Sequence, residues 1–325
     1  MLDDLDLRLV NALQIAPRSS WRALAPILHV DASTLSRRWS RLTAAGLAWT
    51  MCYTTPGRTS LALVEVHCVA GQRDHVASTL AGLAFVVNID HTSGSRQLAV
   101  VVSGSAPTAV DSLVSRHIAA LGGVAATRTR FMRSVYEEGS EFDLRALTPS
   151  QRAGLLELRR GVPAPGVPRH LIEPTVRALQ PDARRPAVDV AREIGVSPSL
   201  ARRVIARLGS IGWVRVRADF AYDVAGWPTT VQLWLTVPPE RLDEIAARLT
   251  RHPAVRSCAS VLSRENLVAV LWMRRLANLE GIESALRARF PEAKVTDRWV
   301  VPRAVKRMGS VFDSQGRRSR YVTTP

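Results

Sequence analysis

The chain repeats itself at a constant offset, and this constrains its fold more than any other feature. Val10-Asn11-Ala12-Leu13-Gln14 aligns with Val176-Arg177-Ala178-Leu179-Gln180. The register then holds without a gap through Arg18/Arg184, Ala25/Ala191, Val30/Val196, Ser33/Ser199, Arg37/Arg203, Arg41-Leu42/Arg207-Leu208 and Gly46/Gly212. A dozen identities in one long ungapped run mark a duplicated supersecondary unit.

Each copy reads as three helices. In the first, Asp3 or Asp4 caps a helix whose apolar residues Leu5, Leu9, Ala12 and Leu13 recur at helical spacing, and Pro17 stops it. Ser19 or Ser20 starts a short second helix carrying Leu24, Ala25 and Leu28. After the turn His29-Val30-Asp31, a third helix buries Leu35, Trp39 and Leu42 and ends at Gly46 in a left-handed cap. Its opposite face presents Ser33, Thr34, Ser36, Arg37, Arg38 and Arg41. In the second copy Ala201, Val204, Ile205 and Leu208 face inward, and Ser199, Arg202, Arg203 and Arg207 face outward. A strand-like run follows each terminal glycine, at 47–54 and 213–218. This is the helix-turn-helix plan, in which the third helix enters the major groove of DNA.

A second pattern follows each unit. Residues 61–69 alternate as a strand, 74–82 read as a helix, 84–91 and 97–103 as strands, 106–121 as a helix and 124–134 as a strand. The second copy gives 231–237, 240–251, 255–262, 266–273, 279–290 and 294–301 in the same order. Both are β-α-β-β-α-β, the ferredoxin-like arrangement, and Leu98 aligns with Leu267 at a slightly larger offset. The fold class expected is α+β, a tandem repeat of a winged-type helix-turn-helix followed by a ferredoxin-like domain. The expected boundaries are 1–56 and 169–222 for the helix-turn-helix units, and 57–140 and 223–303 for the ferredoxin-like effector and oligomerisation domains. A linker with a short helix occupies 141–168, and 304–325 is a basic tail expected to be partly disordered.

Charge narrows the choice of partner. The chain has 44 Lys and Arg against 28 Asp and Glu, a net +16, which favours polyanions through counterion release. Three cysteines with no paired spacing argue against a disulfide framework and for a reducing cytoplasm. The acidic start lacks the pattern of a signal peptide, and the apolar runs are too short to span a membrane.

With these elements in place the chain resembles the Lrp/AsnC family of transcription regulators. The residues that carry the resemblance are Leu2-Asp3-Asp4-Leu5-Asp6, Leu13-Gln14, Arg18, Leu24-Ala25, Arg37, Arg41-Leu42 and Gly46. The resemblance implies a cytoplasmic, nucleoid-associated protein that binds double-stranded DNA, responds to a small effector such as an amino acid, and forms a homodimer or higher homo-oligomer. It implies no cofactor. The effector loop of the family lies between the two central strands, which here places candidate effector residues at Ser93, Gly94 and Ser95 and at Ser263, Arg264 and Asn266. The family's aspartate is absent from this loop in both copies. The second helix-turn-helix also lacks the acidic opening, with Arg169, His170 and Ile172 in place of Asp3, Asp4 and Asp6.

The DNA-binding residues expected are the outward ones of the two third helices named above. Arginine can donate two hydrogen bonds to guanine or pair with phosphate, and serine and threonine hydroxyls reach either. Arg18, Arg22, Arg184 and Arg185, near the starts of the second helices, are candidate phosphate contacts. No catalytic constellation and no metal-ligand spacing is evident, so an enzyme is not expected. Two alternatives share this pattern. One is a sirohaem-decarboxylase-like enzyme on the same fold, which Glu265-Asn266-Leu267 and Leu271-Trp272 resemble. The other is an architectural DNA-binding protein without an effector.

Overall fold

The computed structural model describes residues 2–55, 59–94, 96–139, 142–160 and 166–324. Its first half runs α1 (Asp4–Ile15), α2 (Trp21–Leu28), α3 (Ala32–Ala44), β1 (Ala48–Thr54), β2 (Ser60–Cys68), α4 (Arg73–Ala81), β3 (Val86–His91), β4 (Leu98–Gly104), α5 (Pro107–Leu113) and β5 (Val124–Glu137). After α6 (Pro149–Arg160) the plan repeats as α7 (Ile172–Leu179), α8 (Ala187–Ile194), α9 (Pro198–Leu208), β6 (Val214–Phe220), β7 (Thr229–Thr236), α10 (Leu242–Thr250), β8 (Val255–Val261), β9 (Leu267–Met273), α11 (Asn278–Arg289) and β10 (Lys294–Val301). Three strands follow, β11 (Arg303–Arg307), β12 (Ser310–Phe312) and β13 (Arg318–Tyr321). No helix among the described residues is long and apolar enough to cross a membrane.

The chain folds into two compact units, each drawn from both halves of the sequence. The first unit holds the residues up to Thr55 and Asp143–Ala221. Here β1 and β6, the strands that follow α3 and α9, pair antiparallel with each other. Gly212, expected to end the second of these helices, lies beyond it, since α9 stops at Leu208 with Gly209 as its cap. Met51 faces Arg217 in that register, and these two are equivalent positions of the repeat that carries Val10 onto Val176. The pair therefore marks a pseudo-two-fold axis through the duplicated modules. Helix α1 packs on β6 and α7 on β1, so each module completes the other's core. Cys52 of β1, for example, is buried among Ile172, Val176, Leu179 and Leu208.

The second unit contains the remaining segment to Phe142 and the chain from Tyr222 onward. Its strands follow the order β10-β7-β9-β8-β5-β2-β4-β3-β11-β12-β13. Strand β5 is long enough to serve both halves. Its first part pairs with β2 and its last part with β8, through Ser134 opposite Ser260. The second copy repeats this device. Strand β10 pairs with β7 and runs on through Pro302 into β11, which pairs with β3 through Arg303 opposite His91. The segment expected to be a partly disordered tail is thus built into the sheet. The correction has a physical reason: Val305 and Val311 enter the apolar core of the first half, and Lys306 Nζ donates to the Leu83 carbonyl at 2.8 Å.

The helix-facing side of each half is apolar, with alternate residues of β2, β4, β7 and β9 buried under their helices. The opposite sides pack on each other. Leu63 and Ala99 of the first half lie in one cluster with Trp234, Val268 and Trp299 of the second, and the two tryptophan rings are 4.5 Å apart. Glu65, only 2% exposed, sits at this junction between Arg130 Nε at 2.7 Å and Arg96 Nε at 3.1 Å. Arg130 lies 4.8 Å over Trp234 and Arg96 lies 4.0 Å over Trp299. The offset that carries Leu98 onto Leu267 carries Glu65, Arg130 and Arg96 onto Trp234, Trp299 and Glu265. Charged groups of one copy thus meet the aromatic equivalents of the other.

Candidate nucleic-acid interface

The site is built around α3. The backbone of His29 turns into the left-handed region at φ 55° to separate α2 from α3, where the second copy uses Gly195 at φ 70°. Leu35, Trp39 and Leu42 anchor one face of α3 in the module core. At its end Gly46, at φ 64°, lets Leu47 donate to the Leu42 carbonyl at 2.9 Å, which closes the helix. Ser33, Arg37 and Arg41 are exposed, and Thr34, Ser36 and Arg38 are half-buried. No carboxylate pairs with Arg37 among the described residues.

Two of the six behave differently from the rest. Asp3 and Asp6 form a capping box at the start of α1, with Asp6 N donating to Asp3 Oδ1 at 2.8 Å. The same carboxylates bind α3. Arg38 donates to Asp3 at 2.6 Å and to Asp6 at 2.9 Å, and Arg41 donates to both Asp6 oxygens at 2.8 and 2.6 Å. Asp6 is 1% exposed, whereas the Arg41 side chain is 59% exposed. The acidic opening therefore fixes the angle of α3 on α1 and leaves the outer edge of Arg41 open to solvent. The hydrogen bond from Arg38 holds the Asp3 carboxyl below the usual range.

In the second module Ser197 caps α9 by accepting from Leu200 N at 3.3 Å. Ser199, Arg202 and Arg203 are exposed and Arg207 is half-buried. They do not all share one surface, since Arg202 and Arg207 line a cleft within the first unit.

Arg18 and Arg184, expected as phosphate contacts, are spent inside the first unit. Arg18 donates to the Ala183 carbonyl and, at 3.3 Å, to that of Arg185. Arg184 donates to the carbonyls of Pro17 at 2.8 Å and Ser19 at 3.0 Å and lies 4.0 Å over Trp21. Burial, aided by the neighbouring Arg18, pulls Arg184 down to about 10. Arg185 is likewise occupied, by the Ala178 carbonyl and Glu193. Arg22 is exposed.

The effector candidates lie in the second unit. Ser93 exchanges two bonds with Val300, its N–H donating at 2.9 Å and its Oγ accepting at 3.0 Å. Gly94 is exposed at φ 90°, and Ser95 lies outside the described residues. Ser263 accepts from Arg130 at 2.6 Å, and Asn266 bridges to both backbone groups of Val237. Arg264 is exposed, and its carbonyl accepts from Thr236. The hydrogen bond from Arg130 also holds Glu265 below the usual carboxylate range. Arg130, which sequence reasoning missed, is thus the centre of this region. Arg130 is buried opposite Leu63 in a strand whose other residues, Glu137 apart, stay half-buried or exposed, so the local pattern gave no signal for it.

A model of the AsnC-type helix-turn-helix domain matches residues 2–43. No curated protein sequence matches the chain. Among solved structures, the crystal structure of the siroheme decarboxylase NirDL is similar over 97% of this chain and 96% of its own, with a TM-score of 0.59 at 13% identity. The same enzyme in co-complex with an iron-uroporphyrin III analogue is similar over 94% and 93%, with a TM-score of 0.58 at 14% identity. E. coli AsnC matches 41% of this chain with 93% of its own, at a TM-score of 0.35 and 18% identity. The NirDL likeness establishes the fold, a tandem arrangement of helix-turn-helix and ferredoxin-like parts. It also overturns one expectation from the sequence. The absence of an evident catalytic constellation points away from an enzyme, yet two structures similar over nearly the whole chain are those of an enzyme. A shared fold does not by itself fix the function.

Proposed function

We infer that this chain is a sequence-specific DNA-binding transcription regulator of the Lrp/AsnC type, working as a covalent pseudo-dimer. The observation that carries the reading is the outward face of α3, with Ser33, Arg37 and the open edge of Arg41, on a module that matches the AsnC-type helix-turn-helix. In this reading Arg37 reads a base, and Arg41, through its open edge, contacts phosphate beside it, while Arg38 is held by Asp3 and Asp6. In the second module Ser199 and Arg203 hold the corresponding positions. Because Thr34-Leu35-Ser36-Arg37-Arg38 differs from Leu200-Ala201-Arg202-Arg203-Val204, one chain prefers an asymmetric site and a palindrome needs two chains. A small effector acting at Ser93–Gly94 or Ser263–Asn266 would have to displace bonds those residues already make.

The test is binding to the DNA upstream of the chain's own gene across a salt series, with Arg37→Ala and Arg203→Ala alongside. Specific binding that weakens steeply with salt, and by about ten- to a hundredfold in Arg37→Ala, supports the reading. Loss confined to Arg37→Ala assigns base reading to the first module alone. Equal affinity for unrelated DNA in all three proteins rejects sequence-specific regulation.

A second reading is favoured by the whole-chain likeness to NirDL: a decarboxylase acting on a sirohaem-like tetrapyrrole. Incubation with sirohaem, followed by mass spectrometry for loss of carbon dioxide, decides it.

A further inference from the structure

The pseudo-two-fold axis through Met51 and Arg217 relates two flanks of the first unit that are not alike. On one flank Trp21 and Trp39 lie with ring centroids 6.5 Å apart, and the Arg184 guanidinium covers Trp21. In the second copy the equivalent of Trp21 is Ala187, that of Trp39 is Ile205 and that of Trp49 is Arg215. The second flank has therefore lost its aromatic filling. What stands there is a cleft of 830 Å³, bounded by the turn after α1, the start of α2, the end of α9 and β6, with α6 along one side.

The same divergence has charged the cleft. Arg18, Arg159, Arg202, Arg207 and Arg215 line it, and among the described residues no carboxylate does. Arg202 stands where the first copy has Ser36. Arg207 is the counterpart of Arg41, which Asp6 holds in the first module. The counterpart of Asp6 is Ile172, and that of Asp3 is Arg169, so the acid that would neutralise Arg207 is missing. Between the arginines the wall is apolar, with Ala16, Pro17, Ile205 and Val216. Cations gathered in a concave, partly apolar wall with no acid in its lining focus a positive potential into it. The start of α2, with Ser19 and Ser20 in the lining, adds the positive end of a helix dipole.

We propose that this cleft binds a small polyanion with an apolar body, carrying phosphates or carboxylates. Its volume falls within the range of about 300–1,000 Å³ usual for small-molecule sites. The concave shape of this half-open cleft suits a small molecule better than a duplex, which would meet an open stripe. The inference stands apart from the reading of α3 as a DNA-binding element and rests on other residues.

Isothermal titration of the full chain with ATP and, separately, with benzenehexacarboxylate tests it and separates the phosphate source from the carboxylate source. Saturable binding of one probe is expected, weakened at least about tenfold in Arg202→Ala/Arg207→Ala, which removes charged hydrogen bonds and keeps the space. Ala187→Trp/Ile205→Trp restores the tryptophans of the other flank and keeps every arginine, and it should abolish binding. If the filled variant fails to fold, the arginine variant decides alone. Binding that is the same in both variants places the ligand elsewhere and overturns the proposal. So does the absence of saturable binding by either probe, including the case in which the arginine variant loses affinity for duplex DNA instead.

Discussion

Arg18 and Arg184 are equivalent residues of the two modules, and each donates hydrogen bonds to the backbone loop that carries the other. The reciprocity is what a duplicated module produces when its two copies pack about a two-fold axis. It ties the modules together through carbonyls that no substitution of a neighbouring side chain can remove. The same arginines on separate modules would be solvent-exposed cations at the start of a helix.

Arg184→Ala should therefore lower the stability of the first unit by about 1.5–3 kcal/mol, the range for hydrogen bonds from a charged donor. Denaturant unfolding measures it. The slope of DNA affinity against salt should stay as in the wild type, whereas a lost phosphate contact would reduce it by about one.

Asp6→Asn should act in the opposite sense on charge. It removes the charge and one of the two oxygens that Arg38 and Arg41 bind, and weakens the cap of α1. The cost should be about 2 kcal/mol, less than the roughly 3–5 kcal/mol of a fully buried pair, because Arg41 keeps contact with water. The freed cations should steepen the salt dependence of DNA binding, and an unchanged slope would exclude their approach to DNA.

Glu65→Ala should be among the most damaging changes in the second unit. It leaves Arg130 and Arg96 facing each other with no shared carboxylate, at a cost of about 3–5 kcal/mol. Glu65→Ala combined with Arg130→Met should recover part of that loss, since the apolar replacement suits the ring of Trp234. A double variant no more stable than the single one would show that the charge is not the cause.

Lys306 is fully buried, and burial, with Arg320 adding to it, pushes its ammonium down to about 8 from 10.5. Between those two pH values the unfolded chain binds more protons than the folded one, so stability contributed at this site rises with pH across the window. Below it the buried charge costs about 3 kcal/mol. Lys306→Met should raise the thermal midpoint at pH 7 and flatten the rise between pH 8 and 10. Parallel curves for the two proteins would contradict this.

Much of the fold was legible because it depends on local spacing. Leu35, Trp39 and Leu42 announce the buried face of α3, and Gly46 announces its end, whereas Gly212 misleads, because α9 stops at Leu208 with Gly209 as its cap. The pairing of β11 with β3 was not legible, because nothing local to Arg303 specifies a partner at His91. The basic residues of that segment suggest a solvated tail, and its few apolar ones, Val305 and Val311, decide otherwise. Arg18 and Arg184 mislead for a related reason. A cation at a helix start looks the same in sequence whether it faces a phosphate or a carbonyl of another module. The cleft left a trace in the alignment, in the change from Trp21 and Trp39 to Ala187 and Ile205. That trace acquires meaning only once the axis is known.

Strand β3 waits for its second partner longer than any other strand in the second unit. The ribosome delivers His91 far ahead of Arg303, so a nascent chain carries an unpaired edge until Arg303 has been made. A chain that stops at Val301 never covers it. To quality control in the cell, a frameshift or stop ahead of β11 would therefore present an aggregation hazard, an open strand edge, rather than merely a shorter product.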